Sequence, residues 1–199
     1  MIIKFVIGFW QILINRIVIV TLRCFGGSFS VTRATKINPH SRYLFISNHQ
    51  SILDPFIIFG ALPFTHNLAA APTRFMTART VYYTIWRPLI FLVGCYPTYI
   101  KGTTAVQRTI EYLSSGYNVF IFPEGRRTNQ HNSAPKDGVA QIIQRAQEQS
   151  LVYEIVLIRI KWKNASYWKR HATLSFSTIS SADCRDASAT EIMARIYKL

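Results

Sequence analysis

A chain of 199 residues, 49% of them hydrophobic, can bury one core, and nothing in it marks out a second. The 23 Lys and Arg against 9 Asp and Glu give a formal net charge of +14, which selects for anionic partners, either nucleic acid or an anionic membrane. Aromatic residues at 14% and a positive mean hydropathy favour the membrane; no recognition-helix, zinc-finger or RNA-binding aromatic signature is visible, so no nucleic-acid partner is expected. Cys24, Cys95 and Cys184 are odd in number and scattered, with neither metal-ligand spacing nor a disulfide framework, as in a reducing compartment.

Residues 2–22 are almost wholly apolar and long enough for a helix of about 20 residues. At about 100° per residue, Lys4, Gly8, Gln11 and Asn15 fall on one narrow stripe, with Arg16 and Arg23 beside it. No small-residue cleavage site follows, which argues against a signal peptide. Arg16 and Asn15 would be costly inside a full span. A membrane-associated helix lying in one leaflet accommodates both the stripe and the apolar remainder; a single spanning anchor, its cost lessened by snorkelling, and a helix of a soluble core are the alternatives. The expected organisation is residues 1–25 as this helix and 26–199 as one domain, after the break at Gly26-Gly27-Ser28.

In the domain, residues 41–47 read as a strand, and Pro55 suits the first turn of a helix continued by 56–62. A short strand over 74–77, a helix over 81–92 broken or bounded at Pro88, and a strand over 96–101 follow. Residues 104–115 read as a helix with Val106, Ile110 and Leu113 on one face, stopped by Gly116. The chain then gives a strand over 118–122, a helix over 139–149, strands over 155–162 and 172–177, and a closing helix over 190–198. This alternation predicts an α/β fold, a mixed, mostly parallel sheet flanked by helices.

Two blocks carry the chemistry. In Asn48-His49-Gln50-Ser51-Ile52-Leu53-Asp54, a histidine able to take a proton near neutral pH leaves a strand, and a carboxylate five residues on can hold its far ring nitrogen. On a helix that spacing would set the two about 140° apart, so His49 belongs in a turn and Asp54 at the helix start. A plain N-cap at Asp54 is the competing reading. In Phe122-Pro123-Glu124-Gly125-Arg126-Arg127-Thr128, a glycine permits a tight turn and guanidinium groups can meet a phosphate bidentately; a solvated turn with a surface ion pair is the competing reading. No Gly-x-Ser-x-Gly elbow is present, so direct attack by an activated hydroxyl is expected rather than an acyl-serine.

The two blocks resemble the signature of the glycerolipid acyltransferases, the family of 1-acyl-glycerol-3-phosphate acyltransferases. The likeness extends to Thr77-Ala78-Arg79 and to 134–139, over about residues 40–162. It implies an αβ acyltransferase domain with His49 as catalytic base and Asp54 as its partner. The implied substrate-binding set is Asn48, Lys101, Glu124, Gly125, Arg126, Arg127 and Lys136. Lys101 stands one place beyond the family's phosphate-binding Arg, and Arg159 lies in an apolar strand where the family commonly carries a proline. The resemblance implies a lysophospholipid acceptor, above all lysophosphatidate, and an acyl-CoA or acyl carrier protein donor, with no metal or cofactor. Another lyso-lipid, an amino-acid-derived lyso-lipid or glycerol 3-phosphate as acceptor, and a non-catalytic lipid-binding protein of the same fold, stay open. Cytosolic donors and the positive flank place the site on the cytoplasmic face of a membrane.

Overall fold

The computed structural model describes residues 2–38, 40–62, 64–84, 87–100, 102–125, 127, 134–164 and 170–199. In chain order the elements are α1 (Ile2–Cys24), β1 (Ser28–Arg33), β2 (Tyr43–Ser47), α2 (Asp54–Ala61), α3 (Phe64–Ala70), β3 (Thr73–Thr77), α4 (Arg79–Tyr82) and α5 (Arg87–Leu92). Then come β4 (Cys95–Pro97), β5 (Tyr99–Ile100), β6 (Thr103–Thr104), α6 (Ala105–Ser114), β7 (Asn118–Ile121), α7 (Gly138–Glu148), β8 (Glu154–Asn164), β9 (Arg170–Ser180) and α8 (Ala189–Lys198).

Seven strands form one sheet in the order β1-β9-β8-β2-β7-β3-β4, and β5 and β6 pair separately. Every pair in the large sheet is parallel except β8 with β9. The expected mixed, mostly parallel α/β architecture is the observed one. Central strands of such a sheet are buried on both faces, and β2 accordingly has no exposed residue in Tyr-Leu-Phe-Ile-Ser. Alternation divides its side chains. Leu44 and Ile46 join Val119, Ile121 and Leu157 beneath α6, α7 and α8. Tyr43 and Phe45 join Phe120, Val156 and Ile158 on the other face, where α2 and α1 close the layer.

Several elements differ from expectation. β1 and α3 carried no periodic signal. The helix expected over 81–92 is two pieces, α4 and α5, with Pro88 in the first turn of α5, where its missing N–H costs nothing. The strand expected over 96–101 divides into β4 and β5.

The polar stripe of α1 faces the protein. Gln11 and Asn15 are buried with Ile7, Ile19 and Leu22. The Gln11 side-chain amide donates to the Thr73 and Val93 carbonyls, and its oxygen accepts from Thr73 N–H at 2.9 Å. Where α1 crosses α2, a Cβ on Gly60 would lie 2.4 Å from Ile19 Cγ1, so close approach requires glycine there. Lys4 donates to the carbonyl of Ser115, the C-cap of α6, which complements that helix's negative end. The outer face of α1 is apolar: Ile2, Ile3, Phe5, Phe9, Ile17 and Val20 are all exposed.

Candidate active site

The two sequence blocks leave adjacent central strands in the same direction. β2 and β7 pair in parallel, with Ile46 opposite Ile121, so the turns after Ser47 and Ile121 emerge side by side at the carboxyl end of the sheet. Loops at that end of a parallel sheet are where side chains from separate strands converge.

His49 sits in the turn and Asp54 is the first residue of α2, followed by Pro55. Asp54 does not cap its own helix. Its carboxylate reaches back across the turn: Oδ2 accepts from Gln50 N–H at 2.6 Å, Ser51 N–H at 2.7 Å and His49 Nδ1 at 2.9 Å. Oδ1 accepts from the Trp162 indole N–H at 2.7 Å. The Asp54 side chain is fully buried and that of His49 is 18% exposed, so the carboxylate is sealed while the imidazole keeps access to the surface. An ionised carboxylate only accepts, so Nδ1 of a neutral His49 carries the hydrogen and Nε2 is the proton acceptor. Phe122 stacks on the imidazole with centroids 4.0 Å apart, which fixes the ring plane.

Glu124, 3% exposed, lies beside this pair. Its Oε2 accepts from the His49 backbone N–H at 3.0 Å, and its Oε1 accepts from the Tyr197 hydroxyl on α8. Burial pushes its carboxyl above the usual carboxylate range, and the hydrogen bonds from Tyr197 and His49 N–H pull it partly back. The consecutive N–H groups of His49, Gln50 and Ser51 are therefore all engaged by carboxylates.

Asn48 is held by the protein. Its side-chain Nδ2 donates to the Ile160 carbonyl at 2.9 Å and its Oδ1 accepts from Ile160 N–H at 2.8 Å, prolonging the β2–β8 ladder beyond Ser47 and Ile158. Gly125 turns the chain with φ +64, and the Lys136 side chain lies across it: a Cβ there would meet Lys136 Nζ at 2.8 Å. The Lys136 backbone N–H also donates to the Pro123 carbonyl at 2.9 Å. Arg127 is exposed beside the turn. Lys101 and Arg126 lie outside the described residues. The structure thus brings His49, Asp54 and Glu124 into one bonded group, and Lys136 onto Gly125.

Four participants went unnoticed in the sequence. Trp162 and Tyr197 reach the site from β8 and α8, and Gln50 accepts from Trp162 N–H at 3.1 Å. Phe122 lay inside a noted block, but an aromatic in an apolar run reads as core. Cys95, half-buried on β4, is no nucleophile: desolvation pushes its thiol up to about 11.

Comparison with known proteins gives the family and the fold. A family model described as Acyltransferase matches residues 28–159. The chain belongs to the acyltransferase family. The crystal structure of the 1-acyl-sn-glycerophosphate (LPA) acyltransferase PlsC from Thermotoga maritima superposes with a TM-score of 0.61 at 16% identity, covering 92% of this chain and 77% of that one, which establishes a shared fold. No curated protein matches the chain. Membership makes this acyltransferase an enzyme that takes an acyl donor and an acceptor.

Proposed function

We propose that this acyltransferase moves a fatty acyl chain from a thioester, acyl-CoA or acyl carrier protein, to the free hydroxyl of a lysophospholipid, with lysophosphatidate as acceptor and phosphatidate as product. The observation that carries the chemistry is the 2.9 Å bond between His49 Nδ1 and Asp54 Oδ2. It leaves Nε2 to take the acceptor's hydroxyl proton as the oxygen attacks the thioester carbonyl; the imidazolium that forms is stabilised by Asp54 and returns the proton as the thiol leaves. His49, Gln50 and Ser51 N–H are engaged elsewhere, so the oxyanion is received by other donors.

The acceptor's phosphate would be met by the cations at the second block, Arg126, Arg127 and Lys136, with Lys101 from the neighbouring segment. Lys136 has a physical argument of its own: it lies over the tight turn at Gly125, next to the carboxylate that holds His49.

Attachment to the membrane is supported by α1. Its polar stripe is spent on the protein and its free face is apolar, the reverse of a helix bathed in water. Exposed Phe64 and Leu68 on α3 and Leu89 and Phe91 on α5, both helices that α1 touches, extend that surface. A helix docked along one flank cannot be ringed by lipid, which favours lying in one leaflet, on the cytoplasmic face where the donors are, over spanning.

The test is an acceptor panel with the purified full chain in anionic vesicles, reading thiol release and lipid product together. Thiol release that depends on lysophosphatidate and yields phosphatidate is expected. Release driven instead by glycerol 3-phosphate or another lyso-lipid would replace the acceptor, and release with none of them would defeat the assignment.

A further inference from the structure

We propose that α8 is part of the catalytic apparatus: Tyr197, acting through Glu124, sets the position of the His49 backbone and so of the base itself. The inference rests on the acyl-transfer reading of His49 and deepens it by giving Glu124 a positioning role instead of an acceptor-binding one.

α8 forms because Ala189, Ile192, Met193 and Ile196 recur at helical spacing and are buried, and because Ser188 and Glu191 make a reciprocal capping box at its start. It begins just beyond the turn after β9, near the amino end of β8, since Ser180 pairs with Glu154. Ten residues at 1.5 Å each carry it about 15 Å along the sheet, toward the end where β8 meets Asn48. There Tyr197, at the edge of the buried face, gives its hydroxyl hydrogen to Glu124 Oε1.

Each Glu124 oxygen thus receives a protein donor, Tyr197 on one and His49 N–H on the other. A buried carboxylate held this way does not suit an anionic phosphate, which it would repel. What it does hold is the main chain at the residue that carries the base. His49 is then fixed twice, by Asp54 at the ring and by Glu124 at the backbone. Losing the second tether leaves the imidazole bonded but displaced, and small displacements of a catalytic group lower the chemical step.

The experiment compares the parent, Y197F, E124Q and the double variant in anionic vesicles with acyl-CoA and lysophosphatidate. K198A, on the exposed side of α8, is the control, and the unfolding midpoint is measured for each. Parent turnover is read first, because its absence would defeat the acyl-transfer reading and not this one. The proposal predicts that Y197F lowers kcat about tenfold with KM little changed. It also predicts that Y197F costs nothing further once E124Q is present, and that K198A matches the parent. Loss confined to KM, or additive losses, would overturn it, as would Y197F turning over like the parent. Should Y197F not fold, E124Q alone decides, between a loss in kcat and a loss in KM. One readout needs no turnover: the His49 amide resonance moves in Y197F, and an unmoved resonance counts against the proposal.

Discussion

Replacing Asp54 by Asn tests the orientation of the base with the least change in volume. The carboxylate is fully buried and takes four donors: His49 Nδ1, Gln50 N–H and Ser51 N–H on one oxygen, and the Trp162 indole on the other. An amide has one acceptor oxygen and one NH2. If its oxygen faces the turn, the NH2 meets the Trp162 N–H, donor against donor. If its NH2 faces the turn, it meets Gln50 and Ser51 N–H, and only His49 can yield, by moving its hydrogen to Nε2. That tautomer cannot accept a proton from the hydroxyl. Either way at least one buried donor goes unsatisfied, and each costs about 1–3 kcal/mol of stability. The imidazolium formed in the reaction also loses its counter-charge. At an effective dielectric of ~20, such a pair at hydrogen-bond range is worth roughly 4 kcal/mol, or about a thousandfold in rate. Asp→Asn in a protease triad costs about 10⁴ in kcat by the same tautomer argument. The expected result is a loss of about 10³–10⁴ in thiol release from acyl-CoA with lysophosphatidate, with the protein still folded. A folded D54N enzyme retaining more than a tenth of the parent kcat would refute the reasoning.

Trp162→Phe keeps an aromatic side chain, though a smaller one, and removes the indole N–H that Asp54 accepts at 2.7 Å; we expect roughly a tenfold fall in kcat and a lower unfolding midpoint, and unchanged kinetics would remove Trp162 from the site. Phe9→Glu with Ile17→Glu alters only the outer face of α1, where both residues are 54% exposed. The fold should survive while vesicle co-sedimentation falls at least tenfold, since each large apolar side chain buried in lipid is worth about 1.5–3 kcal/mol. Thiol labelling at pH 8 should modify exposed Cys24 and spare half-buried Cys95, whose thiol at about 11 is ionised to roughly one part in a thousand at that pH; rapid labelling of Cys95 in the folded protein would contradict its raised thiol.

The pair at the heart of the site was legible because it is local. His49 and Asp54 are five residues apart, and Pro55 marked the helix start that turns one toward the other. The strands bearing the two blocks were legible as apolar runs, which is how buried parallel strands read. Long-range partners were not. Trp162 meets Asp54 across 108 residues and Tyr197 meets Glu124 across 73, and nothing near either residue signals the contact. β1, mostly exposed in Ser-Phe-Ser-Val-Thr-Arg, exists by pairing with β9 over 140 residues away and has no pattern of its own. In α1 the stripe of Lys4, Gly8, Gln11 and Asn15 was visible. Its direction was not, because the Gln11 acceptors are main-chain groups 62 and 82 residues distant. Asn48 shows the converse: a residue inside a recognisable block whose amide is bonded to β8.

The most direct measurement is the rate of thiol release and phosphatidate formation by His49→Ala beside the parent, in anionic vesicles with lysophosphatidate and acyl-CoA at saturation. The parent should release one thiol for each phosphatidate formed, and the folded variant should fall by a thousandfold or more in both. A folded His49→Ala protein that matched the parent would show that the proton leaves the hydroxyl by another route.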